Sequence, residues 1–150
     1  MDELKLDRQL CFKLYAASRQ VVRAYKPMLE ALQLTYPQYL VMLVLWEWDE
    51  QAPPQPTVKA LGERLLLDSG TLTPLLKRLQ AAGLIDRRRS NADEREMHLC
   101  LSEQGRELRN RVPALKRQLL CEQGVDSEQL APLRAQLDVL LQRIAGQISD

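Results

Sequence analysis

A chain of 150 residues with 45% hydrophobic and 27% charged side chains holds enough apolar material for one packed domain, or for one protomer of an intertwined dimer. Its longest apolar run, "YLVMLVLW" at Tyr39 to Trp46, falls far short of the roughly 20 residues that span a bilayer, and Asp2, Glu3, Lys5, Asp7 and Arg8 interrupt any amino-terminal leader pattern, so a cytoplasmic protein with no membrane partner is expected. The formal net charge of +1 hides an asymmetry: residues 57–90 carry seven Lys/Arg against three acids, a net +4, while residues 1–56 carry −1 and residues 91–150 carry −2.

Leu6, Leu10, Leu14, Ala17 and Val21 recur at helical spacing and predict a first helix from about Leu4 to Tyr25, stopping before Pro27. A short second helix fits Pro27 to Gln33. The stretch "LTYPQYLVMLVLWEW" has the composition of a buried strand. Thr35 and Gln38, however, stand at capping-box spacing, and Pro37 suits a first helical turn, so a helix is expected from Tyr36 to about Trp48. "DEQAPPQPT", with three prolines, then breaks the structure.

From Thr57 the pattern changes. "TVKALGERLLL" is a short amphipathic helix, and "DSGTLTPLLKRLQAAGL" is a turn and a second helix, capped by Asp68 or Ser69 and closed at Gly83. "LIDRRRSNADEREMHLCLS" places Leu84 and Ile85 before a polar tip and Met97, Leu99 and Leu101 behind it, which predicts a β-hairpin. Two helices joined by a tight turn and followed by a basic hairpin make a winged helix-turn-helix, here about residues 55–101. After Ser102, a fitting N-cap, a long helix is expected to run to about Glu122 with a bend at Pro113. Gly124 ends it, and a last helix from Ser127 lines up Leu130, Leu133, Leu137, Leu140, Leu141, Ile144 and Ile148. The expected architecture is mainly α with a small β-hairpin wing: a single domain over 1–150, forming an intertwined homodimer through helices at about 4–33 and 103–148.

A helix that reads DNA needs short polar groups at its start and basic groups to hold phosphates. Ser69, Thr71 and Thr73 crowd the start of the second helix, and Lys77 and Arg78 follow one turn later, opposite the apolar set Leu72, Leu75, Leu76 and Leu79. Read alone, this is a solvated helix with ordinary caps, but that reading leaves Arg87, Arg88 and Arg89 without a use. Helix and hairpin together point to double-stranded DNA. In the hairpin Asp86, Arg88, Asp93 and Arg95 alternate in sign, and pairing among them would stiffen the wing. Arg89 or Arg95, near the tip, suits a narrow minor groove.

Cys11, Cys100 and Cys121 are an odd number at wide spacing. They form no disulfide framework and no zinc pattern, so no metal and no cofactor is expected. A lone helical cysteine such as Cys11 is ordinarily a small buried hydrophobe. Tyr15, however, lies one turn beyond it on the same face.

The order of helices, "DSGTLTPLLKRLQAAGLI" and "DRRRSNADER" resemble the MarR family of dimeric winged-helix regulators over nearly the whole chain. "CFKLYAASR" and "YKPMLEALQLTYPQYLVMLVLWE" resemble its organic hydroperoxide resistance branch. That resemblance implies a repressor that binds operator DNA when reduced and leaves it when an organic hydroperoxide oxidises Cys11. It also implies that Tyr25 and Tyr36 hydrogen-bond the reactive sulfur, which favours thiolate over thiol, and that Cys121 resolves the oxidised sulfur. Tyr25 is fourteen residues beyond Cys11, about 21 Å along one straight helix, so a shared site would draw Tyr25 from the other subunit. An apolar pocket lined by Leu10, Leu14, Phe12 or Trp46 would favour organic peroxides. Cys100 reads as a half-exposed strand residue on the wing's polar side. The competing readings are a regulator released by a phenolic ligand, a thiol peroxidase, and a purely structural helical dimer. The peroxidase ordinarily needs a βαβ scaffold that this chain lacks, and the structural dimer leaves the basic hairpin idle.

Overall fold

The computed structural model describes residues 2–148. Two short 3-10 turns, Asp2–Leu4 and Leu6–Arg8, precede helix α1 (Leu10–Ala24). The helix expected from Leu4 therefore starts later. Gln9 is extended (φ −83°, ψ 113°), and its amide donates back to the carbonyls of Glu3 and Lys5, closing the turns on themselves. Helix α2 (Lys26–Leu32) follows directly, with Pro27 in its first turn and Gln33 in the left-handed region (φ 56°) ending it.

Helix α3 (Tyr36–Glu50) resolves the strand-or-helix question. The Thr35 hydroxyl accepts from the Gln38 N–H at 3.4 Å, and the Gln38 side chain accepts from the Thr35 N–H at 2.9 Å, the reciprocal capping box. Its apolar residues are buried on most sides, Val41, Met42, Leu45 and Trp46 among them, which is why the run shows no clean helical period.

Helices α4 (Val58–Leu65) and α5 (Ser69–Ala81) are each capped by the side chain just before them, Thr57 and Asp68. Strands β1 (Ile85–Arg89) and β2 (Met97–Leu101) pair antiparallel, Ile85 opposite Leu101 and Arg89 opposite Met97. The segment before α4 joins the hairpin's edge: Thr57 bridges His98, and the Leu99 N–H donates to the Pro56 carbonyl at 2.9 Å. Leu61, Leu72, Leu76, Leu79 and Ile85 form the centre of this core.

The single long helix expected after Ser102 is two: α6 (Glu103–Arg109) and α7 (Val112–Gln123). Pro113 has no N–H for the Arg109 carbonyl, and its ring crowds that oxygen, so the chain breaks at Asn110 and Arg111 instead of bending. The freed Arg111 guanidinium donates to the Ala31 carbonyl at 2.7 Å. Gly124 (φ 61°) ends α7. The last helix, α8 (Ala131–Ile148), begins four residues later than expected, after a turn in which Asp126 accepts from the Glu128 N–H at 3.0 Å. Pro132 then sits at its second position, where the missing N–H costs nothing. The Ile148 side chain, expected on the apolar face, lies outside the described residues.

The chain packs as two units, Met1–Leu115 and Lys116–Asp150. In the first unit, the Trp46 indole N–H donates to the Gly105 carbonyl at 2.8 Å and ties α3 to α6. Three acids at the end of α3 oppose its dipole, and each is met by an arginine: Glu47 by Arg64 at 3.1 Å, Asp49 by Arg106 at 2.9 Å, and Glu50 by Arg109. Such exposed pairs are worth about 0–1 kcal/mol each. No helix among the described residues is long and apolar enough to cross a membrane.

Candidate DNA interface and redox site

The surface of α5 is built by its cap. The Asp68 carboxylate accepts from the Thr71 N–H at 2.7 Å and from the Thr71 hydroxyl at 3.2 Å. Those bonds, the backbone one foremost, hold the carboxyl below the usual aspartate range. Thr73 donates its hydroxyl to the Ser69 carbonyl at 2.8 Å, leaving its oxygen free to accept. Leu72, Leu75, Leu76 and Leu79 anchor the inner face, so Ser69, Thr71, Thr73, Lys77 and Arg78 all stand exposed on the other. The two threonines are therefore less free than sequence suggests, because each hydroxyl proton is already spent within the helix.

Arg88 and Arg89 are exposed on β1 and Arg95 on the hairpin tip. Among the described residues no ion pair joins Asp86, Arg88, Asp93 and Arg95, contrary to the expected pairing. Backbone-directed bonds hold the tip instead. Ser90 Oγ accepts from the Ala92 and Asp93 N–H groups, Asp93 accepts from the Arg95 N–H at 2.9 Å, and Arg89 donates to the Glu94 carbonyl. These short-range bonds leave the Arg88 and Arg95 guanidinium groups facing water. Sequence reading missed one connection: Arg87 Nε donates to Gln80 Oε1 at 2.9 Å and fastens the wing to α5. Lys59, Thr73, Arg87 and Arg95 line a cavity of about 370 Å³ in the angle between them.

The residues expected in the redox site fall on different elements. Cys11 is exposed on α1, a helix with no buried residue: Leu10 is 59% exposed and Tyr15 64%. The Tyr15 ring is covered by the Arg19 guanidinium at 5.4 Å from its centroid. Helix α1 is unbroken from Leu10 to Ala24, so Cys11 and Tyr25 stand at its opposite ends. Tyr25 instead meets Tyr36, edge to face at 5.5 Å between centroids, and burial raises the Tyr36 phenol, with the Tyr25 charge second. Sequence reading gave no role to Tyr39, which completes this cluster. It lies 6.1 Å from Tyr25 and 6.3 Å from Tyr36. Its nearness on α3 was readable from the i, i+3 spacing to Tyr36. Trp46, expected in a peroxide pocket, belongs to the core, with its indole committed to Gly105. Cys100 is half-buried opposite Asp86 on the outward side of β2, and Cys121 is exposed on α7 in the second unit. All three thiols are free.

A helix-turn-helix with a basic second helix, closed by an antiparallel wing that carries three consecutive arginines, defines a winged-helix transcriptional regulator. The chain belongs to the family described as transcriptional regulator SarA/Rot, which it matches over residues 23–112. It is 45% identical over 143 residues to the organic hydroperoxide resistance transcriptional regulator of Bacillus subtilis (strain 168), covering 95% of this chain and 94% of that one. AbfR of Staphylococcus epidermidis superposes with a TM-score of 0.77 at 32% identity, covering 99% of this chain and 97% of that one. AbfR has also been solved reduced and bound to DNA (TM-score 0.76, 30% identity, 99% of each chain covered). Its disulfide-formed state matches with a TM-score of 0.62 at 31% identity, covering 99% and 96% of the two chains. The resemblance to the hydroperoxide resistance branch is borne out.

Proposed function

We propose that this chain is a cytoplasmic, peroxide-sensing repressor that binds operator DNA as a reduced homodimer and is released when an organic hydroperoxide oxidises Cys11. The carrying observation is the separation of Cys11 from the tyrosines. The thiol stands on an exposed apolar helix face, and the phenols of Tyr25 and Tyr36 gather at the far end of the same unbroken helix. A second copy laid against α1 brings the two halves together and covers the apolar face in one step. The exposed Leu133, Val139, Leu141 and Ile144 on α8 offer further area for the same purpose.

In the chemistry, the Cys11 thiolate attacks one peroxide oxygen, forming S–O as O–O breaks, and the alkoxide leaves as alcohol after taking a proton. The sulfur has lost two electrons and is a sulfenic acid. The Cys121 thiolate of the partner then attacks that sulfur, forming S–S as S–O breaks, and the hydroxide leaves as water after taking a proton. Tyr25 and Tyr36 donate to the thiolate, with Tyr15 beside Cys11 as a further donor. Ser69, Thr71, Thr73, Lys77, Arg78, Arg88, Arg89 and Arg95 meet the DNA. The protein is consumed stoichiometrically as a signal and does not act as an enzyme.

The test is operator binding by reduced protein with and without one equivalent of cumene hydroperoxide. Wild type is expected to dissociate, and Cys11→Ser to bind equally well and stay bound. Release of Cys11→Ser as readily as wild type would place the sensor elsewhere.

A further inference from the structure

Tyr39 is 2% exposed, and its hydroxyl is the one buried side-chain polar atom without a hydrogen-bond partner among the described residues. A phenylalanine would fill the same space without stranding an O–H, and native folds seldom leave such a group unused. The surroundings limit what it can meet. On one side the Trp46 ring, 6.4 Å away, presents no acceptor, and its own N–H is bound to Gly105. On the other side stand the rings of Tyr25 and Tyr36.

We propose that Tyr39 is a positioning residue of the redox site: its hydroxyl donates to the phenol oxygen of Tyr25 or Tyr36 and strengthens the O–H that this phenol offers to the Cys11 thiolate of a second subunit. This rests on the reading of Tyr25 and Tyr36 as thiolate donors. A phenol has one proton and two lone pairs. When Tyr25 and Tyr36 donate their hydrogen bonds to sulfur, their oxygens keep lone pairs, and these two rings are neighbours of the stranded hydroxyl's own ring. A chain of hydroxyls ending on an anion is polarised along its length, so each member binds more strongly than it would alone. The cluster also keeps its protons. Burial first, then the charges of Tyr25 and Tyr36, push the Tyr39 phenol up to about 12, so it is still a donor around neutral pH.

The experiment uses full-length reduced protein carrying Cys100→Ser and Cys121→Ser, so that Cys11 is the one thiol. Thiolate absorbance near 240 nm and alkylation rate are followed against pH. Tyr39→Phe is expected to raise the Cys11 pKa by about 0.5–1 unit, to slow oxidation by cumene hydroperoxide at pH 7 by about two- to fivefold, and to leave the melting temperature and reduced operator affinity unchanged. In a Tyr25→Phe/Tyr36→Phe background, adding Tyr39→Phe should change nothing further, because the relay has lost its intermediaries. An unchanged thiol pKa in Tyr39→Phe, while Tyr25→Phe and Tyr36→Phe each raise it, overturns the inference and leaves the reading of Tyr25 and Tyr36 as thiolate donors standing. If none of the three phenols moves the pKa, both fall. Should Tyr39→Phe fail to fold, 3-fluorotyrosine at position 39 is a stronger donor and is expected to lower the thiol pKa; a rise or no change overturns the relay.

Discussion

Gly105→Ala puts a methyl group where the wing, α3 and α6 are joined. A Cβ on Gly105 would lie 2.2 Å from the Leu84 carbonyl oxygen and 3.1 Å from Leu101 Cδ2. Leu84 is not free to yield. Its N–H donates to the Leu79 carbonyl at 3.0 Å, and its carbonyl accepts from the Ser102 N–H at 3.1 Å. Gly105 is held as firmly, by the Ser102 hydroxyl on its N–H at 3.0 Å and by the Trp46 indole on its carbonyl at 2.8 Å. Relief to an ordinary contact needs about 1 Å of backbone movement, which sacrifices one of these bonds. Overpacking costs about 1–3 kcal/mol, and a buried group left unpaired about 1–3 kcal/mol. The better helix propensity of alanine returns about 1 kcal/mol. The net loss is roughly 1–5 kcal/mol. At about 2–4 °C per kcal/mol for a chain of this size, Tm should fall by roughly 2–20 °C. The measurement is thermal and urea unfolding by circular dichroism at a fixed protein concentration, since assembly contributes to stability. A Tm equal to or above wild type would refute the claim that α6 is locked against Leu84.

Replacing Arg88 or Arg95 by Ala should weaken operator binding severalfold, with similar effect across sequences, and reduce the slope of log K against log salt by about one; fluorescence anisotropy between 50 and 300 mM salt reads both, and an unchanged slope removes that arginine from the phosphate contacts. Tyr39 holds its proton more tightly folded than unfolded, so its titration leaves stability untouched below pH 10 and erodes it as pH rises towards about 12. This amounts to on the order of 2–3 kcal/mol over that window, and urea midpoints should fall less steeply there in Tyr39→Phe. On a non-reducing gel after one equivalent of organic hydroperoxide, a covalent dimer is expected in wild type and Cys100→Ser, and none in Cys11→Ser or Cys121→Ser. A dimer that survives Cys121→Ser but not Cys100→Ser would reassign the resolving thiol.

What the sequence determined by itself was local. The Thr35–Gln38 box, the caps at Thr57, Asp68 and Ser102, the left-handed Gly83 and the two-residue alternation of the wing all act between residues a few positions apart. They are therefore written in short stretches, and they were enough to order the elements of a winged helix. The limits of that reading appear where two local signals compete. Pro113 is compatible with a bend or a break; the helix is broken, and Arg111, at the break, bonds to Ala31, eighty residues away. Tertiary structure alone decided which side chains are spent. Trp46 looked available for a pocket, yet Gly105, fifty-nine residues on, takes its N–H. Tyr39 is one tyrosine among four in the sequence; packing buries its ring beside those of Trp46, Tyr25 and Tyr36 and leaves its hydroxyl without a partner among the described residues. Burial and partnership are properties of residues brought together from distant parts of the chain, and neither spacing nor composition records them.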